Sequence, residues 1–282
     1  MKFGVTVFLS DESIGPAEAA REAEARGFAS MYIPEHTHIP VGRRTPAPMG
    51  EPLPHYYWHT LDPFVAMTAA AAATETLRVG TAILLVAQRD PIVTAKEVAT
   101  LDLLSGGRVT LGIGFGWNQD EIEDHGVDFK RRREVVREKV LAMQRLWADD
   151  EASFEGESVS FERSWAWPKP VQQPWPPIFV GGIGGPKLFA AIADYGDGWM
   201  PIGGRGIKAA LPELQRAYED AGRDPDTVEV KPLGSMPEPG KIEYFASLGV
   251  RETVLGLTHG PRDVVLEEMD SFAKMVEAYR DA

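Results

Sequence analysis

Residues 77–115 read LRVGTAILLV, AQRD, PIVTAKEVATLDLL, SGG and RVTLGIGF in five consecutive pieces. The first and last are short, apolar and β-rich, as strands Leu77–Val86 and Arg108–Phe115 would be. The middle piece, Pro91–Leu104, has helical length and sits between turn-forming residues. Strand, helix and strand in that order make a βαβ unit, whose strands run parallel. Working outward, the same alternation covers the chain. Further strand candidates are Phe3–Leu9, Ser30–Pro34, Pro177–Gly181, Gly198–Ile202, Val228–Leu233 and Thr253–Leu257, giving eight in all. Helical patterns at Pro16–Arg26 and Lys130–Trp147 separate some of them. Pro16 suits a first helical turn and Gly27 a stop. A count of eight predicts closure into an α/β (β/α)8 TIM barrel, and 282 residues with 44% hydrophobic content suit one barrel of roughly 250 residues.

Composition narrows the chemistry. The chain has no cysteine, which excludes a disulfide framework, thiolate metal sites, iron–sulfur clusters and a cysteine nucleophile. Redox chemistry would need a bound cofactor. A net charge of −13 speaks against nucleic-acid binding, since counterion release needs a basic face. The one dense basic run, Lys130 to Arg133, reads as a solvated helix start. No run of about 20 apolar residues occurs, so no membrane association is expected and the location is expected to be cytoplasmic.

One domain over 1–282 is expected, with insertions at about 35–60 and 150–175. The first, Glu35 to Thr60, is proline-rich, carries Arg43-Arg44 and an aromatic cluster Tyr56-Tyr57-Trp58, and is a candidate lid. The second reads as a hairpin over Ala152–Phe161 followed by the Trp165–Gln172 segment.

In a β/α barrel the residues just after each strand outrank others as functional candidates. Strand 2 ends in Glu35-His36-Thr37-His38, strand 4 in Gly112–Asn118 and strand 5 in Gly181–Pro186. The two glycine-rich turns let backbone N–H groups approach a phosphate, although glycine there also serves plain turn geometry. The spacing G-x-G-x-G over 112–116 does not fit a dinucleotide fingerprint. His36 is a proton donor, a cofactor partner or a structural histidine. His36/His38 and His55/His59 suggest a metal, but later strand ends offer no further ligand except His259, so none is expected. Phe115 and Trp199, at strand ends, are the better aromatic pocket candidates; some of Trp58, Trp117, Trp165 and Trp167 must be ordinary core.

Six stretches occur together along nearly the whole chain. They are Glu35-His36, Leu61-Asp-Pro-Phe64, Arg78 to Pro91, Leu103 to Asn118, Trp167-Pro-Lys-Pro-Val-Gln172 and Tyr195-Gly-Asp-Gly-Trp199. With them the chain resembles the luciferase-like monooxygenase superfamily, and within it the actinobacterial branch that uses the deazaflavin coenzyme F420. The resemblance implies a barrel of the bacterial luciferase type and a cytoplasmic oxidoreductase that transfers hydride between F420 and a small-molecule substrate. It implies a non-proline cis peptide between Ala82 and Ile83, bulging against the ring. It places Glu35 and His36 at the ring's polar edge as catalytic residues, a strand 4 turn at Gly114, Phe115 and Gly116, and a phosphate-binding turn at Gly182, Ile183, Gly184 and Gly185. A homodimer is also implied. The alternatives are a reduced-FMN monooxygenase and a non-catalytic F420 or flavin carrier. The sugar-phosphate dehydrogenases of this branch carry a glutamate after the strand 4 glycines and a tryptophan after the strand 2 histidine. Trp117 and Pro40 hold those places here, which argues against glucose 6-phosphate and for a more apolar, planar substrate.

Overall fold

Aspartate–proline pairs start two of the helices. Asp62 accepts from the Val65 N–H and Asp90 from the Val93 N–H, so α2 (Pro63–Ala72) and α3 (Pro91–Ser105) each have a side-chain cap with proline in the first turn. The α3 helix stops at Gly106 and Gly107, both at positive φ, as a left-handed C-terminus requires. The structure is a computed structural model describing residues 1–279.

Ahead of these lie β1 (Lys2–Thr6), α1 (Pro16–Ala25) and β2 (Ser30–Ile33), and between them β3 (Arg78–Leu84). Then come β4 (Val109–Ile113), α4 (Gln119–Asp124), α5 (Arg132–Ala148) and the antiparallel hairpin β5 (Ala152–Glu155) and β6 (Ser160–Ser164). The chain continues through β7 (Ile178–Gly181), α6 (Pro186–Tyr195), β8 (Gly198–Met200), α7 (Ile207–Asp220) and β9 (Glu229–Val230). It ends with β10 (Leu233–Ser235), α8 (Pro239–Ser247), β11 (Glu252–Gly256) and α9 (Arg262–Val276).

The main sheet is parallel throughout, in the order β10-β11-β1-β2-β3-β4-β7-β8-β9. Its two ends are one strand interrupted at Lys231-Pro232. The Lys231 N–H donates to the Trp199 carbonyl and the Leu233 N–H to that of Pro201, both at 2.8 Å, while Pro232 accepts from the Val254 N–H at 2.8 Å. The sheet therefore closes into the eight-stranded barrel that the alternation predicts. The seventh strand candidate, Val228–Leu233, splits because Pro232 has no N–H for the ladder.

The barrel interior is filled, not open. Lys231 Nζ bonds Tyr32 Oη at 2.7 Å and Glu252 at 2.9 Å, Ser30 donates to the same carboxylate, and the ammonium lies 4.3 Å from the Phe179 ring centroid. Burial works against the Lys231 charge, but Tyr32 and Glu252 outweigh it and raise its pKa. Chemistry is thereby confined to the mouth, at the C-terminal ends of the strands.

Candidate active site

The floor of the mouth is built from β3 and β4. The Ala82–Ile83 peptide is cis, as the resemblance implies. Register passes from Ala82 opposite Gly112 to Leu84 opposite Ile113, so Ile83 is the bulged residue. Its side chain reaches across three strand ends. A Cβ on Gly114 would overlap Ile83 Cδ1, and one on Gly181 would lie 3.1 Å from Ile83 Cγ2. Glycine at these places is what lets Ile83 occupy the mouth.

His36 stands at the end of β2 with its side chain 7% exposed. Its carboxylate partner is not the adjacent Glu35. His36 Nδ1 lies 2.8 Å from Oε2 of Glu121, a fully buried residue of α4 whose other oxygen accepts from the Thr37 N–H at 3.2 Å. A carboxylate at this place suits a proton on Nδ1, and no hydrogen bond among the described residues engages Nε2. Sequence patterning missed Glu121 because α4 is too short, at six residues, for a periodic signal to emerge.

Glu35, expected beside His36 at the ring's edge, has another task. Its carboxylate is buried, accepting from the Leu85 N–H and from Arg89 Nε, each at 2.6 Å. Arg89 also pairs with Asp62 and Glu97. Burial raises the Glu35 pKa while Arg89 pulls the other way. Glu35 thus pins the segment leaving the bulge, and does not share a proton with His36.

Rings close the upper side. Tyr57 and Trp117 lie 5.1 and 5.8 Å from the His36 ring, and Tyr56 and Tyr57 each pack on Phe8 at 4.8 and 4.9 Å. Trp117 therefore supplies an indole beside His36 from the β4 end. The lid cations are committed: Arg43 to Glu51, Arg44 to Asp120 and Glu123. His55 and His59 pair with Glu12 and Asp11, and His259 bonds Ser10.

The Gly182–Gly185 turn leads into α6 with no side chain capping the helix N-terminus. A Cβ on Gly185 would meet only open space, and Ile183 is 96% exposed, so this turn offers backbone rather than side chains. Such a cradle fits a phosphate. Trp199 supports it from below, donating Nε1–H to the Gly182 carbonyl at 2.9 Å. Trp199 and Phe115 are both buried core rings, Phe115 lying under the Arg133 guanidinium at 4.0 Å. The fit to a deazaflavin or flavin is good: a glycine-lined floor, a histidine at one side and an uncapped turn at the other.

Residues 16–235 match the family model of luciferase-like monooxygenases. An uncharacterised Mycobacterium tuberculosis protein is 47% identical over 91% of this chain and 92% of its own. An F420-dependent glucose-6-phosphate dehydrogenase from Kineococcus radiotolerans is 31% identical over 87% of this chain and 72% of its own. An F420-dependent secondary alcohol dehydrogenase shares the fold, with a TM-score of 0.78 at 23% identity, covering 99% of this chain and 100% of that one.

Proposed function

The chain belongs to the luciferase-like monooxygenase family and is an oxidoreductase, and from that premise we propose that it uses coenzyme F420 to exchange hydride with an uncharged, apolar organic molecule. The observation that carries this is His36, after β2, with Nδ1 held by buried Glu121 and no hydrogen bond from Nε2 among the described residues, on the barrel end that also carries the cis Ala82–Ile83 peptide. Ile83 and the strand 4 glycines would back the ring, and the amides of Gly182–Gly185 would hold the phosphate. The bound deazaflavin supplies the carbon that accepts or gives up hydride. His36 Nε2 holds or releases the proton of the substrate's oxygen or nitrogen, and Glu121 keeps the imidazole turned for that transfer. Phe8, Tyr56, Tyr57 and Trp117 exclude water around it. With Arg43 and Arg44 already paired, no lid cation is left for a substrate phosphate, which supports an apolar substrate over a sugar phosphate.

The test is a fluorescence titration of the purified protein with F420, FMN and FAD in parallel. The expected result is F420 binding at least about tenfold tighter than FMN, a difference of about 1.4 kcal/mol. A preference for FMN would support an oxygen-activating monooxygenase instead, and binding of none of the three would overturn the cofactor assignment.

A further inference from the structure

The short helix α4 completes its hydrogen bonds with a residue from another part of the chain. Its own N-cap residue, Asn118, makes no side-chain cap bond. The Gln119 N–H instead donates to Thr45 Oγ1 at 3.1 Å, and the Thr45 hydroxyl donates to Asp120 at 2.8 Å. The same Asp120 oxygen accepts the N–H groups of Arg44 and Thr45 at 3.0 Å, and its partner oxygen accepts Arg44 Nε at 2.9 Å. A helix of six residues has little stability of its own, so a cap borrowed from the lid carries disproportionate weight.

The same helix grips the residues after β2. Glu121 holds His36 and Thr37, Asp124 lies 3.1 Å from His38, and His125 lies 2.8 Å from the Thr37 hydroxyl. Lid and histidine are therefore fastened to adjacent residues, Asp120 and Glu121, on one helical turn. We propose that seating of residues 43–45 on α4 sets the orientation of His36, with Thr45 and Asp120 acting as positioning residues through Glu121. When the lid lifts, α4 loses its cap, and Glu121 loses its hold on the imidazole. Proton transfer is thereby switched on only under a closed lid, where water is excluded.

This inference rests on His36 being the proton-handling group, but its readouts need neither cofactor nor substrate, so it fails separately from the F420 assignment. The experiment uses the full chain with 15N-labelled histidine. Hydrogen exchange is followed at 43–50 and 119–124, and the His36 ring resonances are assigned with His36→Gln. In Thr45→Val, exchange should rise about tenfold in both segments, and His36 should change from a single Nδ1-protonated tautomer to a mixture. Thr45→Ser, which keeps the hydroxyl, should restore both. Asp120→Asn serves as the second variant should Thr45→Val fold poorly, and the same two changes are expected of it. Faster exchange in the lid with α4 and His36 unchanged would overturn the coupling, as would no change in either segment.

Discussion

His36 and Glu121 divide one task between them. In the proposed reaction the imidazole handles the proton, and the buried Glu121 carboxylate, 2.8 Å from Nδ1, sets which nitrogen is presented. His36→Gln is expected to lower F420-dependent turnover about 10²–10⁴-fold with cofactor affinity retained. Glu121→Gln keeps the shape and loses the obligate acceptor, so turnover should fall by a smaller factor, about tenfold or more. Unchanged turnover in Glu121→Gln would show that His36 holds its orientation unaided. Two glycines separate stability from binding. A Cβ on Gly112 would overlap the Thr81 carbonyl and approach Met200 Sδ at 2.9 Å, leaving the backbone no easy escape. Gly112→Ala should therefore cost about 1–3 kcal/mol in urea unfolding. A Cβ on Gly114 meets only the flexible end of Ile83, so Gly114→Ala should fold normally and show weaker F420 binding by titration.

Between elements, single ionised side chains do much of the fastening. Glu24 on α1 accepts from the N–H groups of Glu75, Thr76 and Leu77 and from the Thr76 hydroxyl, tying α1 to the turn before β3. Burial would raise its pKa, but these donors hold it down to about 2, from an ordinary 4.5. A depressed carboxylate stabilises the fold above its unfolded pKa, and that contribution disappears as pH falls through the folded one. Stability should decline between about pH 4.5 and pH 2 for this reason, and Glu24→Gln should flatten that part of the profile in acid titrations followed by circular dichroism. Arg89 does similar work at the other rim of the sheet, drawing Glu35, Asp62 and Glu97 together from three segments. Asp197 links β7 to β8 through the Ile178 N–H at 2.9 Å.

On the scale of the molecule, the outward face of α3 is unusually apolar. Ile92 and Leu103, and Val93 and Leu104, are eleven residues apart and therefore share a face three turns along. All four are exposed, as is Val65 on α2. A groove lined by Ile92, Lys96, Trp165 and Pro168 extends this surface toward the hairpin insertion. Such a surface predicts self-association, and sedimentation should show a homodimer that Val93→Glu with Leu104→Glu converts to monomer. A monomeric wild type would rule this out. No helix among the described residues is long and apolar enough to cross a membrane.

The barrel was legible in the sequence because strand and helix periods are local properties. Eight apolar runs and some of the helices between them could be read from neighbouring residues alone, whereas the cis peptide at Ala82–Ile83 was expected only through the family resemblance. The broken seventh strand was visible only as a proline. What tertiary structure decided was partnership. Glu35 adjoins His36 in sequence, yet its carboxylate turns to Leu85 and Arg89, while the carboxylate on His36 arrives from 85 residues away. Phe115 and Trp199 end their strands as buried rings, Phe115 under Arg133 and Trp199 under the Gly182 turn. The physical reason is common to all of these: hydrogen-bond direction and burial depend on which elements the closed barrel brings side by side, and neither leaves a trace in local periodicity.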